Sequence, residues 1–289
     1  MKISLTILVL NWLLVSGQAQ TTKEMKKEYI NTKIGHIAVF HKQTQLKKTP
    51  IIFLHGVYFD HHLWEKQVSE INDRPVITID MPMHGESKQN IKPDWNLDDC
   101  ADMLLDILDS LKVNQVIAVG HSWGSMTMLR AAHKNPSRFS GLGLCNMPFK
   151  EASKSEKRNI KLQHLALIFR GFYMQQAAKG LMSKESITDN RALVQRLVTP
   201  MSRLTNKEIQ YTDKAVRIDA KDALPLISNL TIRTIALVGE EDYVGLPPIK
   251  ETITVKGGHV SPLEAPAEVS NLIRQLIELA DLQQINSYK

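Results

Sequence analysis

Gly120-His121-Ser122-Trp123-Gly124 is the stretch that most narrows what this chain can fold into. It follows the apolar, β-branched run Asn114–Val119, which reads as a buried strand, and it precedes Ser125–His133, which reads as a helix. A strand that turns straight into a helix around one serine holds that serine in strained backbone. Side chains in place of the flanking glycines would collide with the neighbouring strand and helix. The turn lifts the hydroxyl to the carboxyl end of a sheet and aims a helix N-terminus at whatever reacts there. Ser122 is the candidate nucleophile.

A nucleophilic serine needs a base and a group that orients the base. Downstream, the strand-like run Thr234–Val238 ends in Gly239-Glu240-Glu241-Asp242, and a second short run, Glu251–Val255, leads into Gly257-Gly258-His259. Both polar clusters sit at carboxyl ends of strands, the edge on which Ser122 lies. His259 is the candidate base, taking the serine proton and returning it to the leaving group. Asp242 is the candidate orienting acid, with Glu240 and Glu241 as adjacent carboxylates. A fourth component follows the apolar strand Pro50–Leu54: in His55-Gly56-Val57-Tyr58 the glycine lets backbone approach a substrate carbonyl closely. The N–H groups of Val57 and Trp123 are then the candidate oxyanion donors, and His55 reads as structural.

The chain resembles the α/β-hydrolases, within the large group of capped esterases, lipases and C–C hydrolases. The resemblance covers nearly all of the chain after residue 19. It is carried by His55-Gly56 with Trp64, Asp80-Met81-Pro82-Met83-His84-Gly85-Glu86-Ser87, Gly120-His121-Ser122-Trp123-Gly124, Gly239-Glu240-Glu241-Asp242, and Gly258-His259 with Glu264 and Pro266. It implies the chain order Ser122, Asp242, His259 for a triad and an α/β fold: a mostly parallel twisted sheet, helices on both faces, and a helical cap. It also implies a serine hydrolase acting on an ester or related acyl bond of a small molecule. A C–C bond or lactone hydrolase with the same triad is the second reading, and a catalytically silent binding module of this fold the third. A serine nucleophile argues against the dehalogenases and epoxide hydrolases of the fold, which use a carboxylate. Two departures stand out. Met83 occupies a position where the family usually has glycine, and the segment from Asp242 to His259 leaves no room for the usual helix between the last two strands.

Strands alternating with helices support a parallel sheet. A hairpin is predicted over Glu28–Gln43, turning at Ile34-Gly35, with strands at Ile51–His55, Val76–Asp80 and Ser140–Cys145, and helices over Trp64–Asn72 and Leu97–Leu111. The rhythm breaks from residue 148 to about 228, where only helical runs such as Asn159–Gln176 and Arg191–Met201 are visible. The division is therefore a leader (1–19), a core (20–147 and 229–289) and a helical cap (148–228). Within Met147–Ser228 there are fifteen Lys and Arg against eight Asp and Glu, whereas the whole chain is only +6. The surplus fits a solvated helical surface, or attraction of acidic substrates or an anionic surface. The apolar cluster Leu165, Leu167, Ile168, Phe169, Phe172, Tyr173 and Met174 reads as cap core with some acyl-pocket lining.

The first residues carry a separate message. Met1-Lys2 is a short basic start, Ile3–Val15 is almost wholly apolar, and Gly17-Gln18-Ala19 supplies small residues suited to a signal peptidase. This reads as a secretory signal, too short to span a bilayer comfortably, so the mature chain is expected to be exported, periplasmic or secreted, without a stable membrane anchor. Cys100 and Cys145 read as buried thiols. No metal-ligand spacing of Cys and His, nucleotide-binding fingerprint or basic-aromatic nucleic-acid module is visible, so no metal, cofactor or nucleic-acid partner is expected.

Overall fold

The computed structural model describes residues 25–44 and 46–286. The leader read at residues 1–19 lies outside them. Eight strands form one sheet in the spatial order β1-β2-β4-β3-β5-β6-β7-β8: β1 Lys26–Asn31, β2 His36–Lys42, β3 Ile51–Leu54, β4 Val76–Ile79, β5 Val116–His121, β6 Phe139–Cys145, β7 Thr234–Gly239 and β8 Glu251–Val255. β2 pairs antiparallel with β1 and β4, and every pairing from β4 across to β8 is parallel.

The central strands are apolar on both sides, as buried parallel strands are. Ile52, Leu54 and Ala118 face one core, which they share with Leu104, Ile107, Met128 and Leu129 of helices α2 (Leu97–Ser110) and α3 (Trp123–Lys134). Ile51, Phe53, Ile117 and Val119 face the other, with Trp64, Val269, Leu272 and Leu276. Those residues come from the 3₁₀ turn His61–Trp64, which runs into α1 (Glu65–Glu70), and from the last helix, Pro266–Asn286. The two-residue side-chain period of the strands thus builds helical layers on both faces. Cys100 and Cys145 are both free and buried.

The chain order reverses at β3. From there it steps outward to β4 and then back across β3 to β5, which leaves a crevice at the carboxyl ends of β3 and β5. Leu54 is in register with Gly120 across that pair, so the segments after the two strands, His55–Tyr58 and Ser122, emerge side by side.

Between β6 and β7 runs a helical insertion: α4 (Lys154–Gln163), a 3₁₀ segment (His164–Phe169), α5 (Arg170–Leu181), α6 (Lys184–Asp189), α7 (Arg191–Ser202), α8 (Asn206–Asp213) continuing into a π turn (Lys214–Ile218), and α9 (Leu224–Ser228). The single helix expected over 159–176 is broken by the 3₁₀ segment. No residue type in the run demands the break; tertiary contacts impose it. His164 is tied to Asp213 through Nε2 at 2.9 Å. Arg170 forks onto Asn206 and the carbonyls of Ser202 and Leu204. The apolar cluster splits accordingly. Leu167 and Tyr173 are buried, but Leu165, Ile168, Phe169 and Phe172 face solvent rather than forming core. After β8 come the short α10 (Ser261–Glu264) and α11 (Pro266–Asn286). The connection between β7 and β8 contains no helix, and β8 forms one edge of the sheet. Among the described residues, no helix is long and apolar enough to cross a membrane.

The contact between α3 and β3 leaves no space for a side chain. A Cβ on Gly124 would lie 2.3 Å from the Leu54 carbonyl oxygen, which belongs to backbone and has nowhere to go. Gly124→Ala is therefore expected to cost roughly 2–3 kcal/mol. Urea unfolding should show a lower midpoint with an unchanged slope; an unchanged midpoint would mean that helix and strand are not packed as described.

Candidate active site

Ser122 sits between β5 and α3 with φ +50° and ψ −111°, a region that non-glycine residues occupy only when their surroundings over-determine it. Five contacts do so. The Ser122 N–H donates to the Cys145 carbonyl (2.9 Å). Ser125 Oγ donates to the Gly120 carbonyl (2.7 Å) and lies 3.2 Å from the Cys145 carbonyl. A Cβ on Gly120 would come within 2.5 Å of the Ser125 nitrogen, and one on Gly124 would strike β3.

His259 lies after β8 and Asp242 after β7, and the structure brings both to Ser122. His259 Nε2 is 2.9 Å from Ser122 Oγ, and His259 Nδ1 is 2.8 Å from Asp242 Oδ1. A carboxylate facing Nδ1 holds the proton on that nitrogen and leaves Nε2 free to accept from the serine hydroxyl. Asp242, not Glu240 or Glu241, takes this place; Glu241 instead accepts from the Lys184 N–H (3.2 Å). The helix-free β7–β8 connection therefore still delivers a carboxylate. Burial alone would raise the Asp242 carboxyl, but bonds from His259, Asn146 and the Val244 N–H hold it below the usual carboxylate value. Ser122 and His259 are only 7% and 4% exposed, because the insertion covers this edge.

Asn146, which sequence reading passed over, braces the acid. It directly follows β6, has φ +52° and is fully buried. Its Nδ2 donates to Asp242 Oδ2 (2.7 Å) and to the Gly258 carbonyl (3.2 Å), while its Oδ1 accepts from the Ser261 N–H (3.3 Å). One amide thus spans the acid and the histidine loop. The available signal was a polar residue directly after an apolar strand at the same sheet edge as Ser122. Glu264 does similar work from the other side. Its Oε2 accepts from the Gly258 and Val260 N–H groups (2.9 and 3.3 Å), and its Oε1 accepts from the Ser183 N–H (2.8 Å). That carboxylate joins the histidine loop to the insertion, as does the bond from the His259 N–H to the Leu181 carbonyl (2.6 Å). The Tyr243 ring leans over His259, with centroids 4.6 Å apart.

Val57 and Trp123 lie on either side of Ser122. A Cβ on Gly56 would be 3.1 Å from Ser122 Cβ, so the loop carrying Val57 passes directly beside the serine. Trp123 opens α3, and neither its N–H nor that of Val57 has an acceptor among the described residues. Both donors are free to serve an incoming oxygen.

Neutral histidines hold this loop. His55 donates through Nδ1 to the Gly56 carbonyl (2.7 Å) and accepts through Nε2 from the Met81 N–H (2.9 Å), consistent with a structural role. His84 donates through Nδ1 to the Pro82 carbonyl (3.0 Å) and accepts through Nε2 from the Tyr58 N–H (3.1 Å). His121 donates through Nε2 to the His259 carbonyl (2.7 Å). Burial lowers all three and takes His84 and His121 down to about 3. Met83 keeps a left-handed turn without glycine, at φ +67°, and Gly85 at φ +50° lets Asp80 fold back over the turn to accept from the Glu86 N–H (2.8 Å).

Asp60, His61 and His62 bring three potential metal-ligand atoms together, a grouping the sequence reading did not single out. The two Nδ1 atoms and the Asp60 carboxylate already face protein partners. His61 Nδ1 faces Asp80 (2.9 Å), His62 Nδ1 faces Asp60 (3.1 Å), and Arg203 stands 3.6 Å from the Asp60 carboxylate.

Comparison with known proteins agrees with the fold. A family model described as alpha/beta hydrolase fold matches residues 49–178. The uncharacterized hydrolase YugF of Bacillus subtilis (strain 168) is 27% identical over 154 residues, covering 52% of each protein, so the chain spans about half the length of that relative. Among solved structures, a thermophilic esterase from Thermogutta terrifontis superposes with a TM-score of 0.77 at 21% identity, over 88% of this chain and 99% of that one. The enol-lactonase from Burkholderia xenovorans LB400 superposes at 0.75 with 16% identity, over 87% and 100%.

The neutral histidines make stability pH-dependent in a definite direction. An unfolded histidine titrates near 6.5, whereas His84 and His121 bind their protons only near 3 in the fold. Between those values the unfolded chain binds more protons, so their contribution is complete above about pH 6.5 and is lost as pH falls toward 3. His84→Gln should flatten the dependence of unfolding free energy between about pH 5.5 and 4 by roughly 1.4 kcal/mol per pH unit, one proton's worth. A slope equal to that of the parent would mean that His84 is charged in the folded protein.

Proposed function

We propose that the chain, which has the α/β-hydrolase fold, is a serine hydrolase of carboxylic esters or closely related acyl bonds, with Ser122, His259 and Asp242 as its triad. The observation that carries the proposal is the pair of contacts along one imidazole: 2.9 Å to the Ser122 hydroxyl and 2.8 Å to the Asp242 carboxylate, on a serine held at φ +50°.

In this reading Ser122 Oγ attacks the substrate carbonyl as His259 Nε2 takes its proton. Asp242 stabilises the imidazolium so formed without taking up the proton itself. The charge that develops on the carbonyl oxygen meets the unoccupied N–H groups of Val57 and Trp123, and losing one such donor typically costs roughly 3 kcal/mol. The imidazolium then protonates the leaving group, an acyl-enzyme remains, and His259 activates water to release the acid. No step calls for a metal or cofactor. Lactones are a natural second substrate class, since ring opening uses the same steps and an enol-lactonase shares the fold. C–C bond hydrolysis by the same triad is the other reading. Export of the mature chain belongs to the proposal and rests on the pattern of residues 1–19 alone.

A fluorophosphonate probe should label the protein, and Ser122→Ala should abolish labelling; a folded parent that does not label would favour a binding module. On p-nitrophenyl esters, Asp242→Asn should lower kcat on the order of 10⁴-fold, with Glu240→Gln and Glu241→Gln near normal. Loss in either glutamate variant instead would reassign the acid. Assaying esters, lactones and vinylogous diketones side by side would separate the substrate classes. Mass spectrometry of protein exported by a native-type host should find an N-terminus at Gln20, and an intact Met1 would contradict export by cleavage.

A further inference from the structure

Residues 162–172 present an unusual outer face. Leu162, Leu165, Ile168, Phe169 and Phe172 are 55, 67, 79, 71 and 59% exposed. They run along the end of α4, the 3₁₀ segment and the start of α5. In a 3₁₀ turn residues three apart eclipse, so Leu165 and Ile168 project to one side. Phe169 and Phe172 are also three apart, at the junction with α5, where such pairs are surface neighbours.

These side chains cannot escape water by rotating the segment inward. Leu167 and Tyr173 are already buried beneath them, His164 is bonded to Asp213, and Arg170 is forked onto Asn206 and two carbonyls. Turning the outer face in would break all of these contacts.

The surroundings are cationic. Residues 148–183 carry seven Lys and Arg against two Glu. Both glutamates are engaged, Glu156 in the cap with Ser153 and Glu151 with Lys157. Lys154, Arg158 and Lys161 are exposed and have no acidic partner among the described residues.

We propose that this face docks reversibly on an anionic lipid surface, its apolar side chains entering the interface and its cations meeting the headgroups. Aromatic and aliphatic side chains beside Lys and Arg are the composition of elements that lie in the membrane interface, and each basic residue near an anionic leaflet adds attraction. A second copy of the chain fits less well, because it would set two segments with the same positive surplus face to face. The docked face would lie close to the serine: Tyr173, between the exposed residues and the protein interior, has its hydroxyl 3.0 Å from that of Tyr58, the residue after Val57. The docking itself does not depend on the hydrolase reading and is tested without turnover.

The full chain and a Leu165→Ser/Ile168→Ser/Phe169→Ser/Phe172→Ser variant should be sedimented with vesicles of phosphatidylcholine, with and without phosphatidylglycerol. The parent should partition onto the anionic vesicles, less so as salt rises, and the variant should partition roughly tenfold less or weaker. Equal unfolding midpoints would show that the variant is folded. Phe169→Trp in the full chain reads the face itself, whatever residues 1–19 do: its fluorescence should be quenched by brominated acyl chains. Equal partition of parent and variant, or no added quenching, overturns the proposal. So does a concentration-dependent dimer in the ultracentrifuge that the serine variant abolishes without any vesicle binding by the parent, an outcome that assigns the face to a second copy.

Discussion

Everything at this site depends on how closely α3 approaches the sheet. Gly124 rests against the Leu54 carbonyl and Gly120 against the start of the helix. Only with that spacing can Ser122 hold its left-handed backbone, a conformation that by itself costs on the order of 1–3 kcal/mol. Because the β3–β5 and β5–β6 registers set Leu54 beside Gly120 and His121 beside Cys145, the same packing aligns three strand ends. The oxyanion loop, the serine and Asn146 then follow from those ends at neighbouring positions. The strain is spread over a wide base of ordinary contacts: two core layers, one bond to the Cys145 carbonyl and a serine hydroxyl stapled to the turn.

Around that packing, part of the orientation is set by buried histidines that carry no net charge. His55, His84 and His121 each use a ring N–H toward a carbonyl, and His55 and His84 also accept a backbone N–H. Neutral imidazole does this in a dry interior without the desolvation cost that a charged group would bear. Formal charge enters through carboxylates: Asp80 and Glu264 beside the loops, Asp242 at His259 and, in the insertion, Asp213, which is bound to Arg217 (3.0 Å) and His164. Burial would raise the Asp213 carboxyl, but Arg217 and His164 hold it low. That cluster touches Tyr58 (3.4 Å), so the insertion and the oxyanion loop are held together by polar bonds as well as by packing.

Much of this was legible in the residues. The strands were visible because buried parallel strands are continuous apolar runs, and the candidate triad because its members fall directly after them. Asp242 stood out less clearly among three acids, and only the turn geometry after β7 separates it from Glu240 and Glu241. Asn146 escaped notice because a polar residue after a strand is a weak signal; its importance comes from contacts 96 and 112 residues away. The break at His164–Phe169 was invisible for a similar reason. The run has helical propensity, and bonds to Asp213 and Asn206, remote in sequence, override it. Hence the reading of Leu165, Ile168, Phe169 and Phe172 as core failed: apolar character alone does not say which way a side chain faces.

The helix-free step from β7 to β8 has a consequence for how the molecule keeps to itself. Among the described residues, β8 ends the sheet as a short strand whose outer backbone no further strand pairs, and at the opposite end β1 is in the same position. Open edges are templates for adding another chain's strand. Here each is bordered by charge: Lys250, Glu251 and Lys256 at β8, and Lys26, Lys27 and Glu28 at β1. A strand arriving at either side would have to bury those charges, so the lysines at both ends work against growth of the sheet from one molecule into the next.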